Sequence, residues 1–167
     1  NVMIVDLMRN DLSRVSDTGS VTVPELLAVQ EHPGLVHLVS YVEGRLEPSV
    51  RWPQLVEATF PPGSVTGTPK LSALRLIAAL EPEPRSFYCG ALGWVDADTG
   101  EAEFAVTIRT FWLDGPTVKF GTGAGITWGS DATAEWQETE LKSGRLIGVA
   151  AGTRPADPST AWQADPP

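Results

Sequence analysis

A chain of 167 residues with 42% hydrophobic content is long enough to bury one core and to form one domain or part of one. With 21 acidic against 12 basic residues its net charge of −9 argues against nucleic acid or an anionic membrane surface as partner. Cys89 is the only cysteine, which excludes an intrachain disulfide and a cysteine metal cluster and suits a reducing cytosol.

The chain opens on NVMIVDLMRNDLSRV, where Val5, Met8, Leu12 and Val15 recur at helical spacing from the first residues onward. A helix already under way, with no methionine and no leading cap, reads as the start of a fragment. SDTG marks a turn and SVTV a short strand. GLVHLVSYVEG then alternates as a strand, with Val36, Leu38 and Val42 on one face and His37, Val39 and Tyr41 on the other. Pro53 opens a short helix, WPQLVEATF. The loop PPGSVTGTP leads to a further helix, KLSALRLIAALEP, with Thr68 as N-cap and Pro69 at the first helical position.

Three antiparallel strands are predicted next, from FYCGALGWVD, EAEFAVTIRTFWL and TVKFGTG, joined through ADTG and DGP. In the middle one Phe104, Val106, Ile108 and Trp112 share a face, and Arg109 points to the other. Residues 121–125 form a glycine loop ahead of a last helix, AEWQETELK and beyond. The tail GTRPADPSTAWQADPP lacks periodicity and reads as a flexible tail or linker, giving a division into residues 1–150 and 151–167. No apolar run has spanning length, and the chain is expected to be cytoplasmic. The segments of strand and helix predict an α+β fold, a mixed α/β sandwich in which antiparallel sheet is flanked by helices.

The last helix places Glu135, Glu138 and Lys142 within an arc of about 60°. A solvated stripe is one reading, since Glu138 and Lys142 make a favourable i,i+4 pair. The other is a core face, because Ala134, Leu141, Leu146 and Val149 lie on or beside that arc while Gln137, Glu140 and Ser143 lie opposite. Two buried carboxylates need a cation, and Lys142 with a hard ion such as Mg²⁺ would supply it. Elsewhere, the loop Gly121 to Gly125 lets backbone amides approach a ligand or simply joins a strand to a helix. The loop Ser64 to Thr68 precedes a helix N-terminus, which favours an anion. Arg109 can hold a carboxylate or a cross-strand partner, and His37 can move a proton or pack as a hydrogen-bonding side chain. Taken together, these groups describe a pocket for a small dianion beside a metal.

Six blocks stand in one order: MIVDLMRNDLSRV, HPGLVHLVSYVEG, FPPGSVTGTPKLSAL, YCGALGW, AVTIRT and GAGITWGSDATAEWQETELK. Together they resemble the chorismate-utilising enzymes, especially component I of aminodeoxychorismate synthase and of anthranilate synthase, from Asn1 to about Val149. The resemblance implies Mg²⁺-dependent amination of chorismate with ammonia from a glutamine amidotransferase partner. It implies metal-site roles for Glu135 and Glu138. Tyr88 and Arg109 match residues that hold the enolpyruvyl carboxylate, and Gly123 and Gly125 match amides offered to a substrate carboxylate. His37 matches a histidine beside the reacting ring, Thr66 a hydroxyl residue near it, and Lys142 a charge-balancing lysine.

The sequence departs from the family before Asn1, where relatives carry further metal-binding glutamates, a Gly-Thr motif and, in the aminodeoxychorismate branch, a catalytic lysine. Lys70 belongs to a different motif from that lysine. The chain therefore resembles the C-terminal portion of the catalytic domain, expected to be inactive alone. SVTG favours the aminodeoxychorismate branch over anthranilate synthase, and VDLMRND is typical of the aminating branches rather than the isochorismate ones. A non-catalytic interaction module built on this fold is the alternative from another class. Trp128-Gly129 replaces the usual acidic or serine neighbours, and the resemblance gives this pair no role.

Overall fold

The computed structural model describes residues 1–32 and 35–152; the predicted tail from residue 153 lies outside the described residues. In chain order the elements are α1 (Val2–Ser13), β1 (Thr22–His32), β2 (Leu35–Glu43), α2 (Trp52–Thr59), α3 (Gly63–Thr66), α4 (Lys70–Leu80), β3 (Ala91–Val95), β4 (Ala102–Val106), β5 (Phe111–Asp114), β6 (Thr117–Phe120) and α5 (Ala132–Ala150). The strands pair as three antiparallel hairpins, β1-β2, β3-β4 and β5-β6. The α+β class expected from the sequence is the one observed. Among the described residues no helix is long and apolar enough to cross a membrane. The chain divides into two units, residues 1–107 and Ile108 onward.

In the first unit the apolar stripe of α1 turns Val5 inward, and Val15, just past the helix, is buried as well. Asp11 on the edge of that stripe is also buried. Its carboxylate accepts from the Gly63 amide at 3.0 Å and pairs with the Lys70 ammonium at 3.0 Å. Lys70 donates in addition to the Ala58 carbonyl at 2.7 Å. Four helices are thereby tied at one point: α1 through Asp11, α2 through Ala58, α3 through Gly63 and α4 through Lys70.

Four details differ from the sequence expectation. The strand begun by SVTV runs on to His32, past Pro24, through regular pairing from Ala28 onward; irregularities between Thr22 and Ala28 and a positive φ of 57° at Leu27 break the alternation that would have shown it. The SVTG loop holds a single helical turn, α3. Pro69 occupies the cap position of α4, so the helix starts at Lys70 rather than at the proline.

The long middle strand is broken in two. Thr107 is drawn out of the ladder by the turn at residues 87–90: its amide donates to Gly90, its carbonyl accepts from Cys89, and its hydroxyl donates to the Phe87 carbonyl. Arg109 follows with φ at 52°, a left-handed conformation outside the extended region, and the ladder pairing of β4 has already ended at Val106. Arg109 therefore sits in the break between β4 and β5, not on a strand, and the face assignment of Ile108 and Trp112 ends there.

Burial is modest. The buried apolar side chains among the described residues are Val5, Val15, Ala58 and Cys89, while Leu71, Leu80, Leu92 and Leu141 stay largely exposed. Two-stranded hairpins cover too little area to enclose a larger core.

Truncating one partner of a buried ion pair strands the other, at a typical cost of about 3–5 kcal/mol. Lys70→Met and Asp11→Asn should each approach that loss in urea denaturation. The double variant Asp11→Asn/Lys70→Met should lose clearly less than the two single losses added together.

Candidate functional site

The tie at Asp11 fixes where the SVTG segment can lie. With the Gly63 amide held by Asp11, α3 makes its single turn and Thr66 donates its hydroxyl to the Pro62 carbonyl at 2.9 Å. Gly67 then takes φ of 131°, and a Cβ there would stand 3.1 Å from that of Ala73, so both backbone and packing require glycine. The chain passes at once into α4.

Across from this segment, residues 81–91 return from the end of α4 to β3. Arg85 donates to both carboxylate oxygens of Glu81, the shortest contact being 2.6 Å, and to the Val65 carbonyl at 2.8 Å. Its guanidinium also lies over the Tyr88 ring, 5.7 Å from the centroid. The Glu81 carboxyl is held below its ordinary range by the hydrogen bonds from Arg85. Between the two segments is a cavity of about 750 Å³, lined by Phe60, Leu74 and Ile77 and by the polar side chains of Thr66, Arg85 and Tyr88. Its volume falls in the range typical of small-molecule sites. Burial pushes the Tyr88 phenol up to about 12, so it is a hydrogen-bond donor at neutral pH.

Thr66 and Tyr88, both picked out in the sequence, are thus brought together at one cavity. His37 is not among its walls: it stands exposed on β2, opposite Gln30, with its ring edge-on to His32 at 5.2 Å. The remaining candidates, Arg109, Gly123, Gly125, Glu135, Glu138 and Lys142, belong to the second unit. There Gly123 and Gly125 lie in an exposed loop without regular structure, and a Cβ on Gly125 would meet nothing within 4 Å. The packing of the chain itself places no demand for glycine at that position.

Asp131 caps α5, accepting from the Ala134 amide at 2.9 Å, and Glu135 falls in the first turn. Lys142 and Glu138 pair at 2.7 Å. The pair is open to solvent, with Glu138 51% and Lys142 37% exposed, and α5 buries none of its residues. In this chain the Glu138–Lys142 part of the edge is therefore wet, contrary to the core-face reading, and its apolar neighbours Leu141 and Val149 are themselves exposed, while Glu135 is half-buried. As hard oxygen donors one turn apart, Glu135 and Glu138 fit part of a Mg²⁺ shell, which commonly takes one or two carboxylates and completes itself with substrate and water. The described residues contain no group of three potential metal ligands.

Sequence reasoning passed over Asp11 and Arg85, and set Lys70 aside. A carboxylate on the border of an apolar helical stripe was the signal for the first. Arg85, set between prolines and an aromatic residue, left none.

The profile of the chorismate binding enzymes matches residues 1–148. The chain belongs to this family. It is 43% identical over 147 residues to aminodeoxychorismate synthase component 1 of Salmonella typhimurium, covering 88% of this chain and 32% of that one. To anthranilate synthase component 1 of Neisseria gonorrhoeae it is 39% identical over 150 residues, covering 90% and 30%. Among solved structures, anthranilate synthase component I from Streptococcus pneumoniae TIGR4 superposes with a TM-score of 0.72 at 39% identity, over 87% of this chain and 33% of that one. The chain thus spans about a third of the length of these chorismate-binding relatives.

Tyr88 gives this family member a titration signature. Its phenol ionises near the ordinary 10.0 when unfolded and near 12 when folded, so the folded state keeps a proton that the unfolded state releases. Its contribution to stability is complete below pH 10 and is lost as pH rises toward 12. Urea midpoints measured between pH 9 and 12 should fall through that window, and Tyr88→Phe should make the fall shallower.

Proposed function

We propose that the chain contributes part of the active site of an aminodeoxychorismate synthase component I, which replaces the hydroxyl of chorismate by an amino group to give 4-amino-4-deoxychorismate. The observation that carries this reading is the convergence of Thr66 and Tyr88 on one largely apolar cavity, within a chain of the chorismate-binding family. Chorismate is a small ring with two carboxylates, and the residues available suit it. Tyr88 donates from its phenol, and Arg109 offers the planar fork that takes a carboxylate in two parallel hydrogen bonds. Gly125 lies where glycine serves no packing need, in keeping with an amide left open to a ligand, and Gly123 in the same exposed loop is assigned the same role.

Glu135 and Glu138 are assigned to Mg²⁺, with Lys142 balancing their charge. When bound, the ion would fix a ring carboxylate and offset its charge. Hydroxide is a poor leaving group, so its departure needs a proton; Thr66 is assigned to orienting the ring by a hydroxyl hydrogen bond, and His37, which does not line the cavity in this structure, is assigned by motif position alone as the group that moves the proton in the complete catalytic polypeptide. The name component 1 carried by the relatives supports a second component, which we assign as a glutamine amidotransferase supplying ammonia.

SVTG at Ser64 to Gly67 favours amination to aminodeoxychorismate. Anthranilate synthase is the second reading, kept by the 39% identity to the Neisseria enzyme. Because the chain spans about a third of its relatives, the reaction is assigned to a complete catalytic polypeptide. The 167 residues alone should leave chorismate unchanged, and turnover by them would overturn that assignment. Chromatography of the products formed from chorismate and ammonium salt decides the branch; anthranilate as sole product would sink the preferred one.

Two substitutions on α5 test the metal assignment. Glu138→Gln should abolish amination at every Mg²⁺ concentration while circular dichroism stays unchanged. Glu140→Gln, on the opposite side of the helix, should keep activity within about twofold, as exposed substitutions away from special features usually do. Equal activity of the two variants across the titration would reduce the stripe to a surface pair.

A further inference from the structure

We propose that Arg85 is a positioning residue whose guanidinium clamps the SVTG segment and Tyr88 at a fixed separation across the cavity. Three contacts meet on this one side chain. The Val65 carbonyl, immediately before Thr66, accepts from it at 2.8 Å; the Tyr88 ring lies beneath it at 5.7 Å; and Glu81 binds it through both oxygens. Glu81 sits at the end of α4, so the clamp is anchored to the helix that the Asp11–Lys70 pair holds. A planar fork can serve a carbonyl on one edge, a carboxylate on another and a ring on its face at once, which an ammonium cannot do.

The same geometry argues against Arg85 as an anion ligand. Its charge is matched by Glu81, and donors on both its Nε and Nη2 edges are already taken. Its effect on a substrate is therefore indirect, through where Thr66 and Tyr88 stand. The purpose of that spacing rests on the functional reading above; the clamp itself does not.

Cys89 reports on the clamp independently of any activity. It is the only cysteine, is 4% exposed, and directly follows Tyr88, whose ring Arg85 overlies. Iodoacetamide, a neutral probe, should alkylate it slowly in the wild-type chain. Removing the clamp with Arg85→Met should speed alkylation by about tenfold or more, the loss expected for charge-assisted hydrogen bonds, with circular dichroism unchanged. Electrostatics alone predicts the reverse, because a nearby cation favours the thiolate that reacts. Arg85→Lys should behave like Met rather than like wild type. Glu81→Gln should give a smaller rise of the same sign, and it carries the test if the other variants fail to fold.

In the complete catalytic polypeptide, Arg85→Lys should raise the KM for chorismate by about tenfold while kcat stays within about threefold and the Mg²⁺ midpoint is unmoved. Unchanged alkylation in every folded variant overturns the clamp. Faster alkylation with unchanged KM overturns its positioning role. Absence of chorismate turnover in the wild-type polypeptide overturns the functional reading instead, and the alkylation rates then judge the clamp alone.

Discussion

The buried pair of Asp11 and Lys70 is the constraint on which the first unit depends. Removing two charges from water is costly, and their attraction offsets that only when the remaining lone pairs and protons are satisfied. Here the second carboxylate oxygen takes the Gly63 amide and the ammonium reaches the Ala58 carbonyl. Each extra partner comes from a different helix, so the pair cannot be solvated without letting four elements part. Apolar contact alone supplies little to replace it, since so few apolar side chains are buried among the described residues. The burden of fixing geometry falls on polar groups.

This explains why the cavity can be defined by short, irregular segments. α3 is one turn long and residues 81–91 have no regular structure before β3, so neither has a backbone ladder of its own to hold it. The first is pinned from behind by Asp11, and the second is tied by Arg85 to Val65 and by backbone pairing to Thr107. Both walls thereby inherit the position of α4. The apolar side chains between them, Leu74 and Ile77, come from that same helix.

Elements with strong periodicity were legible in the sequence. The stripe of Val5, Met8 and Leu12 gave α1, and the alternation around His37 gave β2. Where a local rule was broken, legibility failed for a physical reason. β1 is interrupted by Pro24 and an irregular register, so its period of two does not show. The run EAEFAVTIRTFWL looks like one strand because its alternation is real, yet Thr107 bonds to the turn at residues 87–90 and Arg109 leaves the extended region two residues on. Nothing in that run announces a partner so far back in the chain. Thr66 and Tyr88, which line one cavity, were picked out through motif position, whereas the groups packed against their segments, Asp11 and Arg85, act through contacts distant in sequence.

The edge of α5 shows how far a pattern can be read. Periodicity places Glu135, Glu138 and Lys142 in one line, and the structure has them in one line; which side of a helix is wet depends on what packs against it, and the pattern does not contain that. The exposed state is itself informative about chemistry. Glu135 in the first turn is favoured by the helix dipole, and an exposed Glu138–Lys142 pair is worth only a few tenths of a kcal/mol. So weak a pair competes little for the carboxylate assigned above to Mg²⁺, whereas a buried pair like that of Asp11 and Lys70 would hold it. In the reaction proposed here, the ion pair that must persist is the buried one, and the pair that must exchange is the one left in water.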